Sequence, residues 1–185
     1  MSLILLRFLG FKGACQHIRE HAPTNELPAD YNPLNNAFFQ VSPIRPYTIV
    51  FFVNNDCPLC KNYKPWIHHL EDSLRMDSMF GIMVVRTDLD SLNINGDYAA
   101  IEYGDMGKIP LHEIFKATVT PEVIVIAENG LVEYKGAIDN WAYDIGKHRT
   151  KATAFYLTDA LQSLRKGEKP KVRETKAIGC FIENN

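Results

Sequence analysis

An α/β fold built on a mixed sheet is the architecture this sequence predicts, and three observations carry it. Residues 47–53, Tyr-Thr-Ile-Val-Phe-Phe-Val, form an unbroken β-branched and aromatic run, the pattern of a central strand covered on both faces. A helical period follows directly, and a second apolar run at 82–87 closes a strand–helix–strand unit, which implies two parallel strands joined by a right-handed crossover. A third run at 123–127 is separated from the strand-like stretch 131–135 by Glu128-Asn129-Gly130, and Asn-Gly between two such runs marks an antiparallel hairpin.

Residues 1–36 read as leader and linker. Leu3 to Phe11 is apolar apart from Arg7, and Gly13-Ala14-Cys15 has the small residues that precede a lipidated cysteine. Arg7 and Lys12 break both patterns, so an amphipathic or disordered leader ranks ahead of an export signal. The run is too short and interrupted to span a bilayer. Prolines and Asn/Asp without a sustained period make 16–36 a linker. The domain proper is assigned to 37–168, with a tail at 169–185 that carries Cys180. Phe38-Phe39-Gln40-Val41 is a candidate short strand.

After the first strand, Leu59, Tyr63, Trp66, Ile67, Leu70 and Leu74 recur at spacings of three and four, one face of a helix. Asp56 suits the N-cap, Pro58 the first turn, and Pro65 is expected to kink the helix. Residues 88–116 read as loop, with short helical turns at 98–103 and 111–115. Residues 139–150 read as polar loop, and 154–165 as a closing helix ended by Gly167.

With 20 Lys+Arg against 22 Asp+Glu, the net charge of −2 provides no field for nucleic acid or an anionic membrane. Four cysteines, at 15, 57, 60 and 180, are too few for a disulfide-built scaffold. Cys57-Pro58-Leu59-Cys60 is the chemical motif. A helix N-terminus favours a thiolate at Cys57, and Cys60, one turn inward, is placed to attack a mixed disulfide there. Cys57 is thus expected as the exposed nucleophile and Cys60 as the resolver, with Pro58 and Leu59 between them contacting substrate. Before the third run, Thr120-Pro121 suits the first residue of a buried strand, and a cis bond there presents an open backbone edge to a substrate.

These features together resemble the thioredoxin fold, a three-layer αβα sandwich, with Thr120-Pro121 matching its cis-proline and with Thr120 and Pro121 completing the substrate-binding set. More closely, Ala117-Thr-Val-Thr-Pro-Glu-Val, Tyr134-Lys-Gly-Ala-Ile-Asp-Asn and Glu174-Thr-Lys-Ala-Ile-Gly-Cys-Phe-Ile resemble bacterial redoxin-domain proteins of the AhpC/TSA and TlpA-like group. The resemblance implies thiol-disulfide oxidoreductase chemistry on a disulfide-containing or dithiol protein partner, with no cofactor, and favours a periplasmic or otherwise exported setting, membrane-anchored or not, over the cytoplasmic alternative. It also makes Cys180 a candidate third redox thiol, against a structural role or pairing with Cys15. Oligomeric state is not readable. The chain departs from the resemblance at four positions. Asn54 and Val50 stand where peroxiredoxins carry Thr or Ser and Pro, and Asp56 and Phe51 where thioredoxins carry Trp and a buried acid.

Two alternatives accompany this reading. One is a thiol peroxidase with Cys57 as peroxidatic cysteine and Cys60 or Cys180 as its resolver. The other is a metal-handling thiol module. Zinc needs four ligands, and no second cysteine pair or suitably spaced histidine pair is present; His68 and His69 are adjacent and point about 100 degrees apart on a helix. No metal is therefore assigned. Asp139, Asn140, Lys147 and Arg149 are rim candidates, and Trp66 and Trp141 are read as packing residues.

Overall fold

A computed structural model describes residues 45–88, 96–104 and 110–183. The leader, Cys15 and the candidate strand at 38–41 lie outside the described residues. The elements run β1 (Tyr47–Val53), α1 (Pro58–Leu74), β2 (Phe80–Arg86), β3 (Ile101–Gly104), α2 (Leu111–Phe115), β4 (Val119–Thr120), β5 (Glu122–Ala127), β6 (Val132–Gly136), β7 (Ala142–Asp144), β8 (Lys147–His148), α3 (Tyr156–Arg165) and β9 (Cys180–Phe181).

A five-stranded sheet in the order β3-β2-β1-β5-β6 forms the frame. β1 is central, parallel to β2 and antiparallel to β5, while β2 and β3 are parallel and β5 and β6 form the hairpin turned by Asn129-Gly130. The pleat sends alternate residues of β1 to opposite faces. Ile49, Phe51 and Val53 pack with Val84, Val123 and Val125 beneath α1 and α3, through Ile67, Leu74, Leu157, Ala160 and Leu164. Val50 and Phe52 face the other way, with Met83, Val85, Ile124 and Ile126, against Leu111 and Phe115 of α2. Both faces of the apolar run are covered, and the three-layer αβα sandwich follows.

Three local expectations are corrected. The 98–103 stretch is not helical: residues 101–104 form β3, because the parallel edge of β2 offers backbone partners that a short Gly-flanked helix lacks. The N-cap of α1 is Cys57, and Asp56 is exposed. Asn54 holds the preceding turn, its side-chain oxygen accepting from Asp56 N at 2.7 Å and its carbonyl from Cys57 N at 3.2 Å. The polar 139–150 segment contains the small β7–β8 hairpin. Pro65, where a kink is expected, lies on the exposed side of α1, which extends from Pro58 to Leu74.

The segment after α3 returns along the sheet. Lys135 N donates to Arg173 O at 2.9 Å, and Thr175 N to Lys135 O at 3.0 Å, which lays the tail beside β6. Thr175 Oγ1 contacts Tyr134 Oη at 2.7 Å and accepts from Ala137 N at 2.9 Å. The approach needs glycine: a Cβ on Gly136 would lie 2.1 Å from Thr175 O. β9 then pairs antiparallel with β4, Thr120 opposite Cys180 and Val119 opposite Phe181, and Ile182 N donates to Thr118 O at 3.0 Å.

Candidate redox site

The site lies where β1 delivers the chain into α1. Cys57 takes extended backbone angles (φ −75°, ψ 117°), Pro58 occupies the first turn, where its missing N–H removes no helical bond, and Lys61 N closes the first turn onto Cys57 O at 3.2 Å. That geometry aims the α1 N-terminus at Cys57 and sets Cys60 one turn further in. Asn54 N donates to Cys60 Sγ at 3.4 Å. The loop is braced from below: Asn55 Nδ2 donates to Asp97 at 3.1 Å. Asp97 also receives Arg86 Nη1 at 3.0 Å, and Arg86 holds Asp88 through Nε at 3.0 Å and Nη2 at 2.7 Å.

Opposite the motif, the Thr120-Pro121 bond is cis. Cys57 Sγ donates to Thr120 O at 3.1 Å. Two expectations need revision here. Cys57 is only 2% exposed and Cys60 3%, so the nucleophile is buried rather than exposed. The Thr120 backbone edge is not open either, since β9 pairs with it. Both follow from the returning tail, which puts Cys180 directly across the ladder from Thr120 and packs it against the cluster containing Cys57 and Cys60. All three described cysteines are free thiols.

The three thiols differ strongly in acidity. The Cys57 thiol is lowered to about 4, first by the Cys60 thiol that donates to it, against the opposing cost of burial, and then by the Cys180 thiol and the Cys60 and Cys180 amides. The Thr120 carbonyl contact suits only the protonated thiol, but one acceptor is outweighed by several donors converging on the same sulfur. Cys60 is pushed far up, first by the Cys57 thiolate and then by burial, while the Asn54 amide opposes the shift. Cys180 is raised to about 11, first by burial and then by Cys57.

Beside Pro121 a shallow depression is lined by Tyr63, Ala137, Ile138, Asp139, Ala142 and Ile178. Tyr63 Oη donates to Asp139 Oδ1 at 2.5 Å, and the same oxygen accepts from Trp141 N at 2.8 Å. Burial and the Asp139 carboxylate both push the Tyr63 hydroxyl up. Trp141 packs on Tyr63, with ring centroids 5.7 Å apart, and stacks on His148 at 4.5 Å. Of the rim candidates, Asp139 reaches this depression. Asn140 instead ties Thr153 and Ala154, exposed Lys147 pairs with Asp144, and Arg149 donates to the Asn140 carbonyl.

The structure therefore brings Cys57, Cys60, Thr120, Pro121 and Cys180 together. Pro58 is exposed beside them, whereas Leu59 is buried in the core beneath the helix. His68 pairs with Glu71 at 2.8 Å, and among the described residues no group of three or more His, Cys, Asp or Glu is arranged to hold a metal. Sequence reasoning missed the Asn54 turn, the Tyr63–Asp139 pair and the Arg86 brace. Tyr63 had a signal in its place on the apolar face of α1, and Asp139 stood among the rim candidates; the others depend on contacts made across the fold.

Taken together, the sheet order, the cysteine pair at the N-terminus of the helix after the central strand, and the cis-proline opposite it define a thioredoxin-like fold. No family model matches the sequence, and no curated protein matches it. Among solved structures, the chain is similar to a hypothetical protein from Sinorhizobium meliloti (17% identity, TM-score 0.62, covering 77% of this chain and 81% of that one). It is also similar to an uncharacterized conserved protein from Geobacillus kaustophilus (17% identity, TM-score 0.58, 76% and 78% covered). A thiol-disulfide oxidoreductase from Bacteroides fragilis aligns over 55% of this chain and 77% of its own, with 15% identity and a TM-score of 0.44. Among the described residues no helix is long and apolar enough to cross a membrane.

Proposed function

We propose that this protein is a thiol-disulfide oxidoreductase that reduces or exchanges disulfides in partner proteins through Cys57 and Cys60. The observation that carries the reading is geometric: Cys57 caps the N-terminus of α1 with Cys60 one turn in, and its Sγ lies 3.1 Å from Thr120 O beside the cis Thr120-Pro121 bond, with the lowered Cys57 pKa in support. Cys57 thiolate attacks one sulfur of a partner disulfide, forming a mixed disulfide and releasing the other partner sulfur as a thiolate. Cys60 then loses its proton and attacks Cys57 Sγ, which forms the Cys57–Cys60 disulfide and releases the reduced partner.

The acidity difference is self-timing. Cys60 is held protonated chiefly by the Cys57 thiolate, and that charge disappears once Cys57 is bonded to the partner, while the Asn54 amide still favours a Cys60 thiolate. Exposed Pro58 and the cis Thr120-Pro121 bond flank the reacting sulfur and are the residues we assign to contact with the partner. Accelerated reduction of insulin disulfides in the presence of dithiothreitol, lost in Cys57→Ser, is the expected result. A rate no faster than dithiothreitol alone overturns the assignment.

A further inference from the structure

A partner disulfide that pairs with the backbone beside a cis-proline needs a free edge at Thr120, and this chain fills that edge with its own β9. The segment is built to be there. Gly179 is so close to β4 that a Cβ on it would lie 2.2 Å from Thr120 O. Thr120 and Cys180 are direct cross-strand partners, and the Thr120 carbonyl is the group that Cys57 Sγ touches at 3.1 Å. Cys180 is half-buried, between the enclosed Cys57 and Cys60 and the exposed Phe181. The tail thus lies as a substrate strand would, and its cysteine stands in register with the nucleophile.

We propose that Cys180 is an internal substrate of the Cys57–Cys60 pair and the thiol through which a dithiol reductant regenerates it, an inference that rests on the dithiol reading above. In the oxidised protein, Cys180 gives its proton to solvent and its thiolate attacks Cys57 Sγ. The Cys57–Cys180 bond forms, the Cys57–Cys60 bond breaks, and the electron pair leaves on Cys60 Sγ, which takes up a proton. One disulfide replaces another, so this step needs no outside oxidant or reductant. A dithiol reductant then attacks Cys180 Sγ, the more accessible sulfur, and expels Cys57 as a thiolate. Its second thiol displaces Cys180, which leaves the reductant as a disulfide and all three cysteines reduced. Cys57 is the most acidic of the three thiols and so the best leaving group, which favours attack on Cys180 in this second exchange.

The test uses the full chain carrying Cys15→Ser, treated with oxidised glutathione and mapped by mass spectrometry of its peptides. Cys60→Ser is expected to lose both the Cys57 and the Cys180 thiol and to yield a cross-linked 57–180 peptide pair. Adding Gly179→Val should abolish the cross-link and leave glutathione on Cys57. If Cys60→Ser alone stops at glutathione on Cys57, with Cys180 free as it would be beside a 57–60 disulfide, the proposal is overturned. The parent protein separates the two levels of argument. A Cys57–Cys60 disulfide there with no 57–180 cross-link in the variant sinks the role of Cys180 only, whereas no intramolecular disulfide in either sinks the dithiol reading as well.

Discussion

Replacing Cys60 by alanine should raise the pKa of Cys57, because the Cys60 thiol is the largest single influence holding it at about 4. A hydrogen bond to a charged group is worth about 1.5–3 kcal/mol, and one pKa unit corresponds to about 1.4 kcal/mol, so losing that donor should shift Cys57 upward by about one to two units. The Cys180 thiol and the two amides stay in place, which keeps the shifted value below that of an ordinary thiol. The measurement is thiolate ultraviolet absorbance against pH for the reduced protein in a Cys15→Ser background. It has a thermodynamic counterpart. A free thiol ionises near 9.0 and the folded Cys57 near 4, so the reduced form gains stability that is complete above pH 9.0 and is lost as the pH falls to about 4. In Cys60→Ala the lower end of that window should move up with the Cys57 pKa. An absorbance midpoint unchanged from the parent would refute the claim that Cys60 holds the Cys57 thiolate by donating to it.

Three further outcomes follow from the surroundings of the site. Arg86 is fully buried between Asp88 and Asp97, and removing one member of such an arrangement typically costs about 3–5 kcal/mol, reduced here because Asp97 is one-third exposed; Arg86→Met should lower the denaturant midpoint without changing the order of thiol acidities. Glu122, buried just after Pro121, has its pKa raised first by burial. Its contribution to stability is therefore greatest below the ordinary glutamate range and falls as the pH rises through the elevated value. Glu122→Gln should gain in Tm relative to the parent between mildly acidic and neutral pH, and a constant difference across that range would contradict the burial argument. Tyr63→Phe removes the hydroxyl bonded to Asp139 and should destabilise by about 1–2 kcal/mol in chemical denaturation, since a carboxylate is left short of a donor.

The sequence alone determined the layered framework. The run at 47–53 is β-branched or aromatic at every position and buried from Ile49 to Val53, which demands cover on both faces, and the Glu128-Asn129-Gly130 turn joins β5 to β6 as a hairpin, with Gly130 supplying the positive φ (85°). It also determined that Cys57 heads a helix with Cys60 one turn in, since both follow from spacing along one element. What lay beyond it were contacts between segments far apart in the chain. The 101–104 strand is short and weakly patterned, and only the waiting edge of β2 makes it a strand. Tertiary structure alone decided how open the redox pair is. Cys57 was expected to face solvent, as a helix N-terminus usually does. Instead Gly136 and Gly179 let the tail approach to backbone contact, and the resulting ladder encloses Cys57 and sets Cys180 opposite Thr120. Helical and strand periods are local and can be read from neighbours; pairing across 60 residues depends on which backbone edges remain unfilled once the sheet has formed, and no local pattern records that.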